Sequence, residues 1–178
     1  MNGFRLEEDV EAPALDGGAT RSQLREAVRK VLASYEVRGL WTALTLAKSS
    51  SSSETYTLLW RYPRQLTLRV DFQRRRITLG EILSEIEDTS AIYRDLCRFI
   101  ACRKSLETPQ HRRLSGDFGW IDISLQKQGV SLTVRVRHLS YDLSIRKLVL
   151  AVQEIYGHFL NDYADYQVEV LGRDIDSI

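Results

Sequence analysis

The chain has few cysteines and prolines and almost no net charge, so it lacks the composition of disulfide-rich, proline-rich or strongly charged proteins. It contains two cysteines, three prolines and one methionine in 178 residues, and its formal net charge is +1. Cys97 and Cys102 lie in a stretch with helical spacing, where they point to different faces, so we expect reduced thiols and no disulfide. The charge balance gives no overall electrostatic attraction to nucleic acid or to an anionic membrane.

Long apolar runs are missing as well. No stretch approaches the roughly 20 consecutive apolar residues that a membrane-spanning helix needs. The N-terminus begins Met1-Asn2-Gly3-Phe4 and then turns acidic, without the basic and apolar regions of a signal peptide. Together with the two thiols, these features predict a cytoplasmic protein that does not bind a membrane.

Motifs for catalysis and cofactors are absent too. The chain has no phosphate-binding Gly-x-x-x-x-Gly-Lys, no dinucleotide-binding Gly-x-Gly-x-x-Gly and no nucleophile motif Gly-x-Ser-x-Gly. Asp117-Phe118-Gly119 matches a magnesium-binding triplet of protein kinases, but the other kinase motifs are missing. His111, His138 and His158 do not have the spacing of metal ligands. We predict a protein that is not an enzyme, with no catalytic residues, no metal site and no cofactor. A site assembled from scattered residues is the alternative.

The residues that are present predict an α+β protein with a real core. Hydrophobic residues make up 43% of the chain and charged residues 28%. We interpret residues 20–178 as a single α+β domain, in which residues 20–104 and 116–172 could form sub-units. Residues 1–19 are predicted to form an acidic N-terminal arm, because they contain Glu7, Glu8, Asp9, Glu11 and Asp16.

Helical spacing predicts four helices. The first runs over about residues 22–36, after a capping box at Thr20-Arg21-Ser22-Gln23. A second capping box at Thr78-Leu79-Gly80-Glu81 predicts a helix that packs with Leu79, Ile82, Leu83 and Ile86. Two longer helices are predicted over about residues 90–103 and 143–161.

Alternating apolar and polar residues predict five or six strands. We expect a strand at residues 40–47 with both faces partly covered, strands at 55–62 and 66–72, and a hairpin over 119–137. Tyr166, Val168 and Val170 predict a final short strand. The pattern Leu-Thr-x-Arg-Val occurs at Leu66–Val70 and Leu132–Val136, which is consistent with two β-β-α units or with coincidence. The predicted architecture is an antiparallel β-sheet with α-helices packed on its apolar face.

The order of helices and strands over residues 20–160 resembles the small α+β fold of type III secretion chaperones and related bacterial proteins. The resemblance rests on the order of elements, so no functional residue is transferred from that family. It implies a chaperone-like protein that binds other proteins.

The arginines are the residues of this sequence that suggest a binding function. Arg69, Arg135 and Arg137 alternate with apolar strand residues and should share the polar side of the sheet, and Arg74, Arg75 and Arg76 follow the third strand. The planar guanidinium group suits carboxylates and phosphates. We predict these six arginines as partner-binding residues of a non-catalytic module that recognises a protein partner. A homodimer or a subunit of a larger assembly fits this hypothesis.

Two alternatives explain the same arginines. A sheet face with arginines and Trp41 or Trp60 could bind single-stranded nucleic acid by phosphate pairing and base stacking. A face that is only solvated would instead contain cross-strand Arg–Asp pairs, for example with Asp71 and Asp122.

Overall fold

The computed structural model describes residues 19–60, 64–126 and 129–172. Within these ranges the helices are α1 (Arg21–Val37), α2 (Ala91–Lys104), α3 (Tyr141–Gly157) and α4 (Ala164–Glu169), and a 3₁₀ helix spans Phe159–Asp162. The strands are β1 (Trp41–Ser49), β2 (Ser53–Trp60), β3 (Arg64–Asp71), β4 (Arg76–Leu83), β5 (Ser115–Gly116), β6 (Gly119–Gln126) and β7 (Gly129–Val136). The predicted acidic arm, except Ala19, and the predicted turn residues Pro63, Lys127 and Gln128 lie outside the described residues.

The strands form one antiparallel sheet in the order β1-β2-β3-β4-β7-β6-β5. The predicted α+β class with an antiparallel sheet is therefore confirmed, although the sheet has seven strands rather than five or six. β4 and β7 join the early and late parts of the chain, with Leu79 opposite Leu132 and Leu83 opposite Val130. Four strands precede α2, so the first part of the chain is not the predicted β-β-α unit.

The fourth strand corrects the prediction of a helix beginning near Thr78. Ile77 and Leu79 pair with Val134 and Leu132 on β7, as alternating strand residues do. The register then shifts between Leu79 and Leu83, and Glu81 has a φ of +64°. This bulge brings Ile82 and Leu83 into the core together. It therefore produces in a strand the three- and four-residue spacing of a helix.

The C-terminal region differs from the prediction in two places. The long helix α3 ends at Gly157, and the chain continues as the 3₁₀ helix, where one helix to residue 161 was predicted. Tyr166 and Val168 belong to the short helix α4 instead of a strand. The Tyr166 hydroxyl donates to the carbonyl of Ser84 at 2.7 Å, and the buried Gln167 amide donates to the carbonyl of Leu160 at 2.6 Å. These two bonds connect α4 to the segment after β4 and to the 3₁₀ helix.

The helices cover the apolar side of the sheet. The predicted capping box of α1 is present, with Thr20 and Gln23 bonded to each other's backbone amides. Aromatic rings connect α3 to the sheet, with centroid distances of 5.4 Å between Phe72 and Tyr141 and 6.2 Å between Trp60 and Tyr156. Apolar residues from α1, α2, α3 and all strands except β5 contribute to a single buried cluster. The opposite side of the sheet carries the polar strand residues.

A buried carboxylate fixes α1 to the sheet. Glu54 on β2 is fully buried, and its Oε1 accepts hydrogen bonds from Arg29 at 2.5 Å and Arg25 at 3.3 Å. Its Oε2 accepts a hydrogen bond from the Tyr56 hydroxyl at 2.5 Å. Burial, together with this bond to Glu54, raises the pKa of Tyr56 above its usual value. The cluster supplies the hydrogen bonds that a carboxylate on the apolar side requires.

The first strand is less covered than its sequence predicts. Trp41 is buried and Leu44 is half-buried, whereas the other residues of β1 are exposed. β1 lies at one edge of the sheet, with β2 on its inner side. The expectation that both faces of this strand are partly covered is therefore wrong for the described part of the chain.

Candidate partner-binding face

Exposed arginines lie on three neighbouring strands of the polar side. Arg69 on β3 is opposite Thr78 on β4, and Arg76 on β4 is opposite Arg135 on β7. All three arginines are exposed, on the side that strand alternation predicts. Like charges directly opposite each other in a sheet are destabilising unless an anion compensates them. Asp71 on β3 is opposite Arg76 on its other side, so Arg135 is the member of this row without an acidic neighbour in the register.

Trp120 on β6 lies next to the exposed arginines of β7 and continues this surface toward the edge of the sheet. Its ring is half-buried, and the guanidinium carbons of Arg135 and Arg137 lie 5.9 and 5.0 Å from the ring centroid. The indole N–H donates to Asp122 Oδ2 at 2.9 Å, and Asp122 Oδ1 accepts a hydrogen bond from Lys104 at 3.0 Å. The carboxylate therefore fixes the position of the ring next to two cations.

The predicted arginines of the β3–β4 turn separate into two groups. Arg74 and Arg76 are exposed and line a groove with Arg69. Arg75 is half-buried and has a φ of +49°. Burial raises the pKa of Tyr141 to about 12, and the charge of Arg75 opposes that rise, which places Arg75 near this residue of α3. We define the arginine face as Arg69, Arg74, Arg76, Arg135 and Arg137, without Arg75.

The groove has a volume of about 350 Å³ and follows β4. Gly80 lines it, and an added Cβ there would be in van der Waals contact with Ser131 Oγ at 3.6 Å. Hydroxyl groups and three guanidinium groups surround it, with two carboxylates. The lining residues are Thr67, Arg69, Asp71, Arg74, Arg76, Thr78, Gly80, Glu81, Gln126, Gly129 and Ser131. Such a groove has enough space for a few residues of extended peptide or a small anion.

The arginines of the arginine face differ from the four arginines that bind buried glutamates. Arg25 and Arg29 form ion pairs with Glu54, and Arg103 and Arg112 form ion pairs with Glu154. Over the described ranges, no carboxylate forms an ion pair with any of the five arginines of the arginine face.

The cross-strand Arg–Asp pairs of a purely solvated face are not formed among the residues that the structure describes. Asp71 Oδ1 accepts a hydrogen bond from the backbone amide of Arg74 at 2.8 Å, and Asp122 is bound by Trp120 and Lys104. Both carboxylates are therefore engaged without binding an arginine side chain.

Sequence reasoning missed the aromatic residue of this face. Trp41 and Trp60 were considered for base stacking, but both are buried in the core. Trp120 has the exposure that they lack, and it lies opposite Arg135 in the β6–β7 register. The signal was available in the predicted hairpin, because Trp120 alternates with the apolar Ile121.

Comparisons with models of protein families, with curated proteins and with solved structures each found no significant match. Among the described residues, no group of three or more histidine, cysteine, aspartate or glutamate side chains could hold a metal ion. None of the described helices combines the length and the apolar character that crossing a bilayer requires.

Proposed function

We propose that this chain is a non-catalytic binding module that recognises an acidic segment of a protein partner through the arginine face. The observation that carries the proposal is the set of five arginines without ion-pair partners in the described ranges, on strands β3, β4 and β7 and in their flanking residues. Guanidinium groups bind carboxylates through two parallel hydrogen bonds, which fixes orientation as well as charge. A chaperone-like or assembly role is consistent with such a surface.

The location and domain organisation form part of this proposal. Cys97 and Cys102 are free thiols, and Cys102 is exposed, which favours a reducing compartment such as the cytoplasm. Residues 20–178 act in it as one domain whose sheet presents the arginine face. The groove along β4 receives the acidic side chains of the partner segment, with Arg69, Arg74 and Arg76 around them.

Charge reversal of the arginine face tests the proposal. The variant Arg69→Glu, Arg135→Glu, Arg137→Glu should unfold within about 3 °C of the wild type, because these side chains are exposed. It should lose the protein partner that the wild type retains in affinity purification from the native cell, quantified by mass spectrometry.

The matched control is Arg94→Glu, Arg98→Glu, Arg146→Glu, which changes the net charge equally at exposed positions on α2 and α3. It should retain the partner. A partner that binds the arginine-face variant as well as the wild type contradicts the proposal, and so does a partner that both triple variants lose.

The second candidate function is binding of single-stranded nucleic acid, and Trp120 is the observation that favours it. A half-buried aromatic ring next to cations can stack on a base with its accessible face while the arginines bind phosphates. Anisotropy of a labelled single-stranded oligonucleotide should then show a steep loss of affinity with salt and a further loss in Trp120→Ala. The absence of binding at low salt would remove this candidate.

A further inference from the structure

The two edges of the sheet differ in length. β5 at one edge has two residues, whereas β1 at the other edge has nine. Natural proteins protect their edge strands with charges or by keeping them short, because free backbone groups pair with other strands. β5 pairs only with Gly119 and Trp120, and the neighbouring β6 lies beside α2, whose Lys104 binds Asp122. β1 in contrast contains a single charged residue, Lys48. β1 is therefore the edge at which another strand can add.

β1 also exposes apolar side chains beside its free edge. Leu46 is 42% exposed, Ala43 is exposed on the other face of the strand, and Ala47 is exposed at the register shift that follows Leu46. Leu44 is only half-buried. β1 thus has the apolar residues of a strand that is buried on both faces. No described residue of the same chain packs over the exposed ones. A neighbouring strand would shield these side chains.

The backbone shows which groups face outward. The amide of Leu44 donates to Glu36 Oε1 at 3.1 Å, so it points away from β2. Alternate residues of a strand point their backbone groups in the same direction, so the amide and carbonyl groups of Leu44 and Leu46 face the free edge. Residues 43–46 are in regular register with β2, between two irregularities at 42 and 47.

We infer that a second copy of this chain pairs with β1 in antiparallel orientation, about a two-fold axis at Thr45. Leu44 of each copy then lies opposite Leu46 of the other and exchanges two backbone hydrogen bonds with it, and the bond to Glu36 is replaced. Beyond these pairs, Ala43 of each copy lies near the irregularity at Ala47 of the other. The result is a closed dimer with one continuous sheet across both copies.

The composition of β1 favours a second copy over an unrelated strand. The two-fold pairing sets the leucines of the two copies against each other and brings their alanines close together. Lys48 lies opposite Thr42, and the two Lys48 residues are separated by six strand positions, or about 20 Å, which prevents repulsion. The dimer is independent of the proposed partner at the arginine face.

Sedimentation velocity on the full chain tests the dimer. The wild type should approach twice the 20.5 kDa mass of one chain as its concentration rises from about 1 to 100 μM. Leu46→Lys places a charge on the edge and should weaken dimerisation by about tenfold or more. Leu59→Lys is the matched control, because Leu59 is 39% exposed but lies on the inner strand β2, and it should dimerise like the wild type. A monomer at all concentrations, or equal masses for the two variants, overturns the inference.

A cysteine cross-link tests the register. In a background of Cys97→Ser and Cys102→Ser, Thr45→Cys places two thiols opposite each other in a pair without backbone hydrogen bonds, where Cα atoms lie about 4.5 Å apart. Oxidation should give a covalent dimer on a non-reducing gel. Ala47→Cys should not, since its two copies lie four positions apart. A dimer in which Thr45→Cys fails to cross-link, or in which Ala47→Cys cross-links equally, overturns the proposed pairing.

Discussion

Two buried glutamates, each bound by two arginines, show how single residues fix the helices of this molecule. Glu54 fixes α1 to β2, and Glu154 on α3 binds α2 and the loop that follows it. Arg112 donates two hydrogen bonds to Glu154, at 2.9 and 2.8 Å, and Arg103 lies 2.7 Å from its Oε2. Such charges are stable in the interior because each is paired and hydrogen-bonded, so loss of one partner is costly.

The charge of Glu154 should make stability depend on pH. Burial alone raises the pKa of Glu154, but the hydrogen bond from Arg112 and the charges of Arg103 and Arg112 outweigh it and hold the pKa below its ordinary value of 4.5. The stabilisation is therefore present above pH 4.5 and lost as the pH falls through the lower folded-state pKa. Glu154→Gln should lower the free energy of unfolding by about 2 kcal/mol at pH 7.

Urea unfolding at several pH values measures this effect. The difference between Glu154→Gln and the wild type should shrink as the pH falls below 4.5, because the wild-type carboxylate then takes up a proton as well. The control is Glu26→Gln, at an exposed position of α1, which should change stability at pH 7 by less than about 0.5 kcal/mol. A difference for Glu154→Gln that is independent of pH would show that charge is not the source of the stabilisation.

Strand alternation was sufficient to place Arg69, Arg135 and Arg137 on the polar side, because side chains on successive strand residues point to opposite faces. The same rule could have identified Glu54, which shares a face with Tyr56 and Leu58. Arg75 could not be placed this way, because the positive φ of the turn breaks the alternation. Partners distant in sequence, such as Arg112 and Glu154, leave no local pattern.

The β6–β7 hairpin depends on a close backbone approach at its start. Gly119 has a φ of +125°, and a Cβ at this position would lie 1.9 Å from the carbonyl oxygen of Arg135. Gly119→Ala should therefore displace Arg135 and destabilise the protein by about 2 kcal/mol in urea unfolding. It should also weaken binding at the arginine face, which contains Arg135.

Gly157→Ala is the control for this substitution. Gly157 is the last residue of α3, and an added Cβ would meet nothing within 4 Å. Alanine should stabilise the protein there by about 0.5 kcal/mol, because it restricts the unfolded chain. If Gly119→Ala unfolds at the same urea concentration as the wild type, the approach of the two strands is looser than described.

The elements that the sequence predicted well have uninterrupted patterns. β6 and β7 alternate over eight residues each, and α1 combines a capping box with a long apolar stripe. The residues of β4 have a helical pattern because the bulge changes the spacing of buried residues from two to three and one. α4 was assigned to a strand because three alternating residues are too few to distinguish the two periods. Both errors are local, so the overall class was still correct.

At the scale of the whole molecule, the chain is nearly neutral, but acidic residues are concentrated in its N-terminal segment and the remainder has a net positive charge. One of the 25 cationic residues and five of the 24 acidic residues lie in residues 1–18, so that segment has a formal net charge of −4 and the remainder has +5. Long-range attraction of an acidic ligand depends on the summed charge around its site. The acidic segment should therefore weaken the binding of acidic ligands at the arginine face.

Deletion of residues 1–18 tests this effect with a labelled polyglutamate peptide as the ligand. We expect the shortened chain to bind it at least about threefold more tightly than the full chain at low salt, with a faster association rate. The gain should fall as salt is added, because the screening length shortens to about 3 Å at 1 M. A full-length variant with Glu7, Glu8, Asp9, Glu11 and Asp16 changed to their amides separates charge from steric cover. It should match the deletion if charge is responsible, whereas binding like that of the unmodified chain would assign the effect to the presence of the segment itself.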